Sequence, residues 1–295
     1  MTAAPIRLDS EWIAANPLPV HGLGTTKNSR GRVLAIGASR QVPGALRLTG
    51  EAALRVGAGK LQMAVPASIA LMLGMLTPEA AVIALAEDDA GEIDAEEAGD
   101  MLDEPVDTCD AVVVGPGLAR PDGARRILKL VLDLAAESTL FVIDAMAIGC
   151  LRDLSAETVK FRERMVLTPH YGEMAVLTGR SEKAIANDPA TVVADVAQQY
   201  GSVVALKGSD TIIGTPDGTV LHYGGGGTGL ATGGSGDVLA GAIGGLLARG
   251  TVPLIAAGWG VWLHGQAARR MATARGPIGF LAREIASEFP RLLPQ

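Results

Sequence analysis

The residues with the clearest chemical capacity lie in one run, Gly224-Gly225-Gly226-Gly227-Thr228-Gly229-Leu230-Ala231-Thr232-Gly233-Gly234-Ser235-Gly236-Asp237-Val238-Leu239-Ala240-Gly241. Glycine lets a ligand come close to the main chain. The apolar segment after it reads as a helix, and a helix start carries unpaired N–H groups and the positive end of the dipole, which together attract an anion. Asp237 stands at that junction. Its charge would repel phosphate, so the economical role is a base: the backbone holds a phosphoryl group while Asp237 takes a proton from a substrate hydroxyl. A plain helix cap is the competing role for an Asp there.

Three further side chains end apolar runs. Asp144 closes Leu140 to Ile143, His170 follows Met165 to Pro169, and Lys207 follows Ser202 to Leu206. Lys207 can meet a nucleotide phosphate or be an ordinary surface lysine. His170 can contact a substrate or bond its own turn. Asp144 can hold a substrate hydroxyl or magnesium-bound water, or cap the next segment. Trp259 and Trp262 read as core, and Arg269, Arg270 and Arg275 as a solvated basic face. Other chemistries are absent. Gly59-Lys60 is followed by Leu61, so there is no P-loop. The first strand has no G-x-G-x-x-G after it, Ser235 lacks a nucleophile-elbow setting, and no histidine pair has zinc spacing. Cys109 and Cys150 give neither a metal spacing nor a disulfide framework.

The elements that carry these residues alternate. Strands are expected at 32–37, 60–65, 81–86, 111–117, 140–144, 165–170 and 202–206, and a hairpin at 211–214 and 219–223. Helices are expected at 45–56, 67–76, 94–102, 124–136, 190–200, 237–248 and 253–272, with a last one at 281–293 and a short one capped by Asp9 or Ser10. This alternation predicts an α/β fold with a doubly wound, mostly parallel sheet and helices on both faces. No linker or repeat divides the chain, so residues 1–295 are expected to form one domain. Ligands in such folds sit at the carboxyl ends of the strands. Ser39, Gly115, Gly117, Asp144, His170, Lys207 and the glycine run all fall at that edge. Hydrophobic residues make up 48% of the chain and aromatics 3%, so the core must be aliphatic, with many of the 38 glycines packed between. A net charge of −7 argues against nucleic acid as a partner. The N-terminal stretch has no signal pattern and no apolar run reaches spanning length, so a cytoplasmic location with no membrane contact is expected.

The motifs together resemble one family. Gly234-Ser235-Gly236-Asp237 resembles the G-x-G-D signature of the ribokinase-like superfamily. The longer run from Leu230 to Gly241 is similar to the ADP-dependent NAD(P)H-hydrate dehydratases. So are Val42 to Ala45, Gly115 to Leu118, Ile143 to Ala145, Leu167 to Glu173 and Leu206 to Gly208. Their order covers residues 30 to 275. The resemblance implies a ribokinase-like fold and repair of NADH or NADPH hydrated on the nicotinamide ring. ADP, or ATP in some members, phosphorylates the ring hydroxyl, and phosphate then leaves, giving NAD(P)H, AMP and phosphate.

Carried over, the hydrated dinucleotide would touch Ala45, Gly117, His170 and Asp237. The nucleotide would touch Lys207, Gly208, Ser209, Asp210, Thr211 and Gly236. Asp237 would be the base, and the N–H groups of Ser235, Gly236 and Asp237, entered through Gly234, the anion hole, with Mg2+ shielding the phosphates. Three departures stand out: Val42 replaces a usual Tyr, Met146 a second Asp, and Gly224 to Gly227 a loop with an Asn. The resemblance also implies a homo-oligomer, a tetramer in relatives. Many relatives carry an N-terminal epimerase domain that is not expected here, so epimerisation is assigned to a separate protein. A vitamin or sugar kinase of the same superfamily, and a non-catalytic nucleotide-binding protein, are the alternatives.

Overall fold

The computed structural model describes residues 4–294; Met1 to Ala3 and Gln295 of the expected 1–295 unit lie outside the described residues. The strands are β1 (Ile6–Arg7), β2 (Arg32–Ile36), β3 (Lys60–Pro66), β4 (Ala81–Leu85), β5 (Ala111–Val114), β6 (Leu140–Ile143), β7 (Met165–Leu167), β8 (Val203–Leu206), β9 (Thr211–Gly214) and β10 (Val220–Tyr223). They form one sheet in the order β1-β10-β9-β8-β7-β6-β5-β2-β3-β4. From β4 across to β8 every pairing is parallel, while β8, β9 and β10 pair antiparallel and β1 joins β10 in parallel.

The helices are α1 (Ser10–Ala15), α2 (Ala45–Arg55), α3 (Ala67–Leu76), α4 (Gly99–Thr108), α5 (Pro121–Leu134), α6 (Met146–Cys150), α7 (Tyr171–Thr178), α8 (Glu182–Asn187), α9 (Pro189–Tyr200), α10 (Ser235–Ala248), α11 (Pro253–Arg275), α12 (Ala282–Ile285) and α13 (Phe289–Leu292). Strand side chains alternate between two cores, as the pleat requires. Val33, Ala35, Val113, Val142 and Val166 pack with α2, α10 and α11. Leu34, Ile36, Val112, Phe141 and Leu167 pack with α4 to α9. Strands covered on both faces read as continuous apolar runs, which is why they were legible.

Helix α10 is buried on nearly every side and stands behind β5 and β6. Its small residues let α2 approach closely: a Cβ at Gly241 would lie 2.0 Å from the Thr49 carbonyl oxygen. This contact fixes where the first turn of α10, with Asp237, meets the sheet edge. Sheet order reverses between β2 and β5, and the crevice there is floored by Gly37, Ala38, Pro116 and Gly117, with the Ala38 N–H donating to the Pro116 carbonyl at 2.7 Å.

Several expected boundaries move. The helix expected at 94–102 begins at Gly99 and runs to Thr108. Asp94 bonds the Glu96 N–H in a turn, and the buried pair Leu102 and Val106 carries the helix past the expected end. Pro105 lacks the N–H for the Met101 carbonyl, but Met101 is exposed and solvent can serve that group. The helix expected at 281–293 breaks into α12, a short tight turn at Ala286–Glu288 and α13, since Pro290 at the start of α13 cannot continue the bonding pattern. The key helix starts at Ser235 rather than Asp237, and α5 starts at Pro121. Strand β1 and helices α6, α7 and α8 were not expected; all are eight residues or shorter, too short for a periodic signal. Among the described residues, no helix is long and apolar enough to cross a membrane.

Candidate active site

The loop before α10 reaches Gly234 in the left-handed region, with φ at +86°, and the helix then starts without a side-chain cap. Gly234 is where the turn needs a glycine. Gly236 is ordinary helix; a Cβ there would lie 3.3 Å from Lys207 Nζ, so its smallness serves the approach of Lys207. The Ser235 N–H, expected in the anion hole, donates instead to the Thr232 carbonyl at 3.2 Å, which leaves the N–H groups of Gly236 and Asp237 open, and Asp237 is the third helical residue, not the cap. Its carboxylate is half-buried, and a Cβ at Gly234 would lie 3.8 Å from Asp237 Oδ2.

Lys207 is not a surface lysine. Its ammonium donates to Asp144 Oδ1 at 2.7 Å and lies 3.9 Å from Glu173 Oε2. Asp144 is buried and also accepts from Thr168 Oγ1 at 2.7 Å, so it does not cap α6. The turn after it is strained: Ala145 holds φ at +51° and ψ at −134°. Non-glycine residues adopt such angles at a cost of about 1–3 kcal/mol where surrounding structure enforces them. The Lys207 N–H donates to the Pro169 carbonyl at 2.8 Å, so the ends of β7 and β8 stay in register up to the site.

His170 caps α7. Its Nδ1 accepts from the Glu173 N–H at 3.2 Å, while Glu173 Oε2 accepts from the His170 N–H at 2.8 Å. The imidazole thus bonds its own turn, yet it is 58% exposed and turned to the rim, where a ligand can also reach it.

The electrostatics follow from three carboxylates around one ammonium. Burial pushes the Asp237 carboxyl up to about 7, and the negative charge of Asp144 adds to this against the pull of Lys207. Glu173 is raised by burial, with Lys207 opposing and Asp144 adding. Burial disfavours the Lys207 ammonium, but Asp144, Glu173 and Asp237 more than offset it and hold its pKa above the usual lysine value. Lys207 stays charged and Asp237 exchanges a proton near neutrality, the range in which a carboxylate can accept and return one.

Beside this cluster opens a cavity of about 520 Å³, walled by Lys207, Gly208, Ser209 and Thr211 on one side, Tyr223 and Gly225 to Thr228 on another, and Ser235 and His264 at its base. Of the expected nucleotide residues, Asp210 is turned away: its carboxylate pairs with His222 Nε2 at 2.8 Å. Gly236 adjoins the cavity through Lys207. Ala45 and Gly117 come together at the sheet crevice, where a Cβ at Gly117 would lie 2.9 Å from that of Ala45. Leu48, one turn on in α2, abuts Gly234, so the crevice and the glycine loop are contiguous. Val42 is exposed beside this crevice and Met146 opens α6 next to Asp144.

The three arginines are exposed, as expected of a solvated face, and each is also engaged by a partner. Arg269 donates to the carbonyls of Gly224 and Gly225 at 2.7 and 2.8 Å and stacks over the Tyr223 ring at 5.7 Å; Arg270 pairs with Glu288, and Arg275 with Glu284. Trp259 is buried and packs edge-to-face on Trp262, as core. His264 escaped the sequence reading, and Glu173 was read only as the end of the motif from Leu167, without a role. A histidine within the apolar stretch Trp262-Leu263-His264-Gly265 was the available signal for the first.

A family model described as NAD(P)H-hydrate dehydratase matches residues 33–291. The ADP-dependent (S)-NAD(P)H-hydrate dehydratase of Xanthomonas campestris pv. campestris is 43% identical over 99% of this chain and 95% of its own length. The bifunctional NAD(P)H-hydrate repair enzyme Nnr of Moorella thermoacetica is 36% identical over 97% of this chain, which spans 53% of that protein. Among solved structures, a ribokinase-like superfamily protein from Enterococcus faecalis V583 superposes with a TM-score of 0.84 at 28% identity, covering 97% of this chain and 95% of that one. The ADP/ATP-dependent NAD(P)H-hydrate dehydratase from Bacillus subtilis, co-crystallised with ATP/Mg2+, gives a TM-score of 0.81 at 27% identity, covering 98% of this chain and 97% of that one.

Proposed function

This chain belongs to the NAD(P)H-hydrate dehydratase family, and we propose that it is a lyase that restores NADH or NADPH from the hydrated forms with an adenine nucleotide, ADP or ATP, as phosphoryl donor. The observation that carries this reading is the half-buried Asp237, with a pKa near 7, beside the open N-terminus of α10 and the Lys207 ammonium. The similarity to the Xanthomonas enzyme supports the substrate class.

In the proposed reaction Asp237 accepts the proton of the ring hydroxyl. The hydroxyl oxygen bonds to the terminal phosphorus, and the bond from that phosphorus to the leaving nucleotide breaks. With ADP the leaving product is AMP. Phosphate then departs with the electrons of its C–O bond and takes the proton from the adjacent ring carbon, whose C–H electrons restore the double bond. The N–H groups of Gly236 and Asp237 hold the transferring group, reached through the turn at Gly234, while that of Ser235 stays with the Thr232 carbonyl. Lys207 balances charge beside it. The dinucleotide lies along Ala45, Gly117 and His170; the nucleotide takes the cavity by Lys207, Gly208, Ser209 and Thr211. The Asp210 side chain, engaged by His222, contributes through its backbone.

Magnesium fits as an ion brought by the nucleotide. Among the described residues no cluster of His, Cys, Asp and Glu is arranged to hold a metal, and the ammonium of Lys207 already occupies the centre of the three carboxylates. Magnesium keeps several waters and commonly shares phosphate oxygens; Asp144 and Glu173 are the oxygen donors that would steady those waters, and the ion would neutralise phosphate charge. We extend the reading to residues 1–295 as one domain, to a homo-oligomer and to a separate epimerase as functional partner, the last on the example of the bifunctional relatives.

The test is incubation with hydrated NADH, Mg2+ and ADP or ATP. Recovery of NADH absorbance with one AMP (from ADP) and one phosphate per NADH is expected. A stable phosphate ester of another metabolite, with no NADH recovered, would instead identify a kinase.

A further inference from the structure

His264 lies on α11, buried, with its Nε2 3.0 Å from both the carbonyl oxygen and the Oγ of Ser235. A carbonyl oxygen only accepts, so the proton of this ring is on Nε2. Burial lowers the His264 pKa to about 4, with the Ser235 carbonyl opposing, so the ring is neutral and carries one proton. A protonated Nε2 cannot accept from the serine. The Ser235 hydroxyl therefore receives a hydrogen bond from His264 and keeps its own hydrogen for another partner. The reverse tautomer would set the bare lone pair of Nε2 against the Ser235 carbonyl. Both side chains line the cavity beside Lys207.

We propose that His264 is a positioning residue that fixes the Ser235 hydroxyl as a donor to the phosphate chain of the nucleotide in this cavity. The inference rests on the proposed nucleotide site. It adds to the backbone N–H groups of α10 a side-chain donor whose direction is set from a second helix. Without His264, the hydroxyl can rotate and turn lone pairs toward phosphate. The same Nε2–H, held by the Ser235 carbonyl, ties α11 to the first turn of α10.

Calorimetric titration with ADP of wild type, Ser235→Ala, His264→Leu, the double variant and His264→Gln tests this, together with 15N NMR of the imidazole. Gln can present an amide N–H where Nε2–H stood, and Leu cannot. Each of the Ala and Leu variants should bind ADP about tenfold to a hundredfold more weakly, as for a lost bond to a charged group. The double variant should be no weaker than either, since both remove one bond, and His264→Gln should recover most of the loss. The NMR should find Nε2 protonated and Nδ1 bare. A folded His264→Leu that binds as wild type, losses that multiply in the double variant, or a bare Nε2 each overturns the proposal. Should His264→Leu fail to fold, unchanged ADP affinity in Ser235→Ala overturns it, and a weakened Ser235→Ala with His264→Gln near wild type supports it. Wild type that binds ADP with this coupling but recovers no NADH refutes the dehydratase reading and leaves the positioning role standing. Wild type that binds no ADP overturns the inference itself.

Discussion

Lys207 Nζ and Asp144 Oδ1 meet at 2.7 Å although their strands, β8 and β6, are separated in the sheet by β7. The pair spans the carboxyl edge and brings the ammonium up to Gly236. A buried ion pair is weak evidence for stability, because desolvation offsets attraction. What this one does is hold a fixed positive charge among three carboxylates that would otherwise leave this edge wholly negative.

Removing that charge makes the first prediction. Lys207→Met keeps the length and loses the ammonium. ADP affinity should fall about tenfold to a hundredfold, the range for a charged hydrogen bond. Lys207 also pulls the Asp237 pKa down. In the variant the Asp237 carboxyl should rise further above 7, so the acid limb of the pH–rate profile should move to higher pH. Calorimetry and a pH series of residual NADH recovery check the two effects; an unmoved limb would remove Lys207 from contact with the base.

The site was legible in part, and the reason is geometric. Asp237, Lys207, Asp144 and His170 each end an apolar run or open a helix, and local pattern reports such junctions. Parallel strands buried on both faces announced themselves the same way. What the pattern could not report is who meets whom. Glu173 and Asp144 converge on Lys207 from positions far apart in the chain, and His264 reaches Ser235 from a helix whose apolar face looked like core throughout. A helix cap was the competing role for Asp237 until Gly234 was seen to take that position. Arg269 is exposed as expected, but its bonds to the loop were not legible, because backbone carbonyls carry no sequence signature.

Arg269 gives the second prediction. Its guanidinium holds the Gly224 and Gly225 carbonyls, and glycines left free lose order at little cost. Arg269→Ala should weaken ADP binding several-fold while the melting temperature changes little, since the arginine lies on the surface. Arg269→Lys should not fully rescue, because one ammonium lacks the planar fork. Equal ADP affinity in wild type and Arg269→Ala would show that the loop needs no clamp.

The packing of α10 on α2 gives a third. Gly241→Ala forces a methyl group to within 2.0 Å of the Thr49 carbonyl oxygen unless the helices separate. Overpacking of this kind costs about 1–3 kcal/mol. The melting temperature should fall, and turnover should fall beyond what lost stability explains, because the same shift moves the first turn of α10. A variant with a normal melting point would mean that α2 and α10 are less tightly joined than the structure has them.

Asp237→Asn separates base from scaffold. The folded-state pKa of Asp237 is raised from 3.8 to about 7. Between those values the folded protein binds a proton that the unfolded chain releases, so this group's contribution falls as pH rises through that window and is most adverse above it. Asparagine carries no such charge. The variant should therefore melt higher than wild type at pH 8 and show little difference at pH 4. ADP affinity should hold or improve, because a negative charge near the phosphates has gone. Turnover should fall roughly a hundredfold to ten-thousandfold, the usual range for a lost general base. In wild type the rate should decline as pH drops below 7, where Asp237 is protonated and cannot accept the hydroxyl proton, and the residual rate of Asp237→Asn should lack that limb. Three measurements decide it: melting curves at the two pH values, ADP titration, and NADH recovery against pH. An Asp237→Asn enzyme that turns over within about tenfold of wild type with the acid limb intact would assign the proton to another group, and Glu173, the other carboxyl raised by burial beside Lys207, would be the residue to change next.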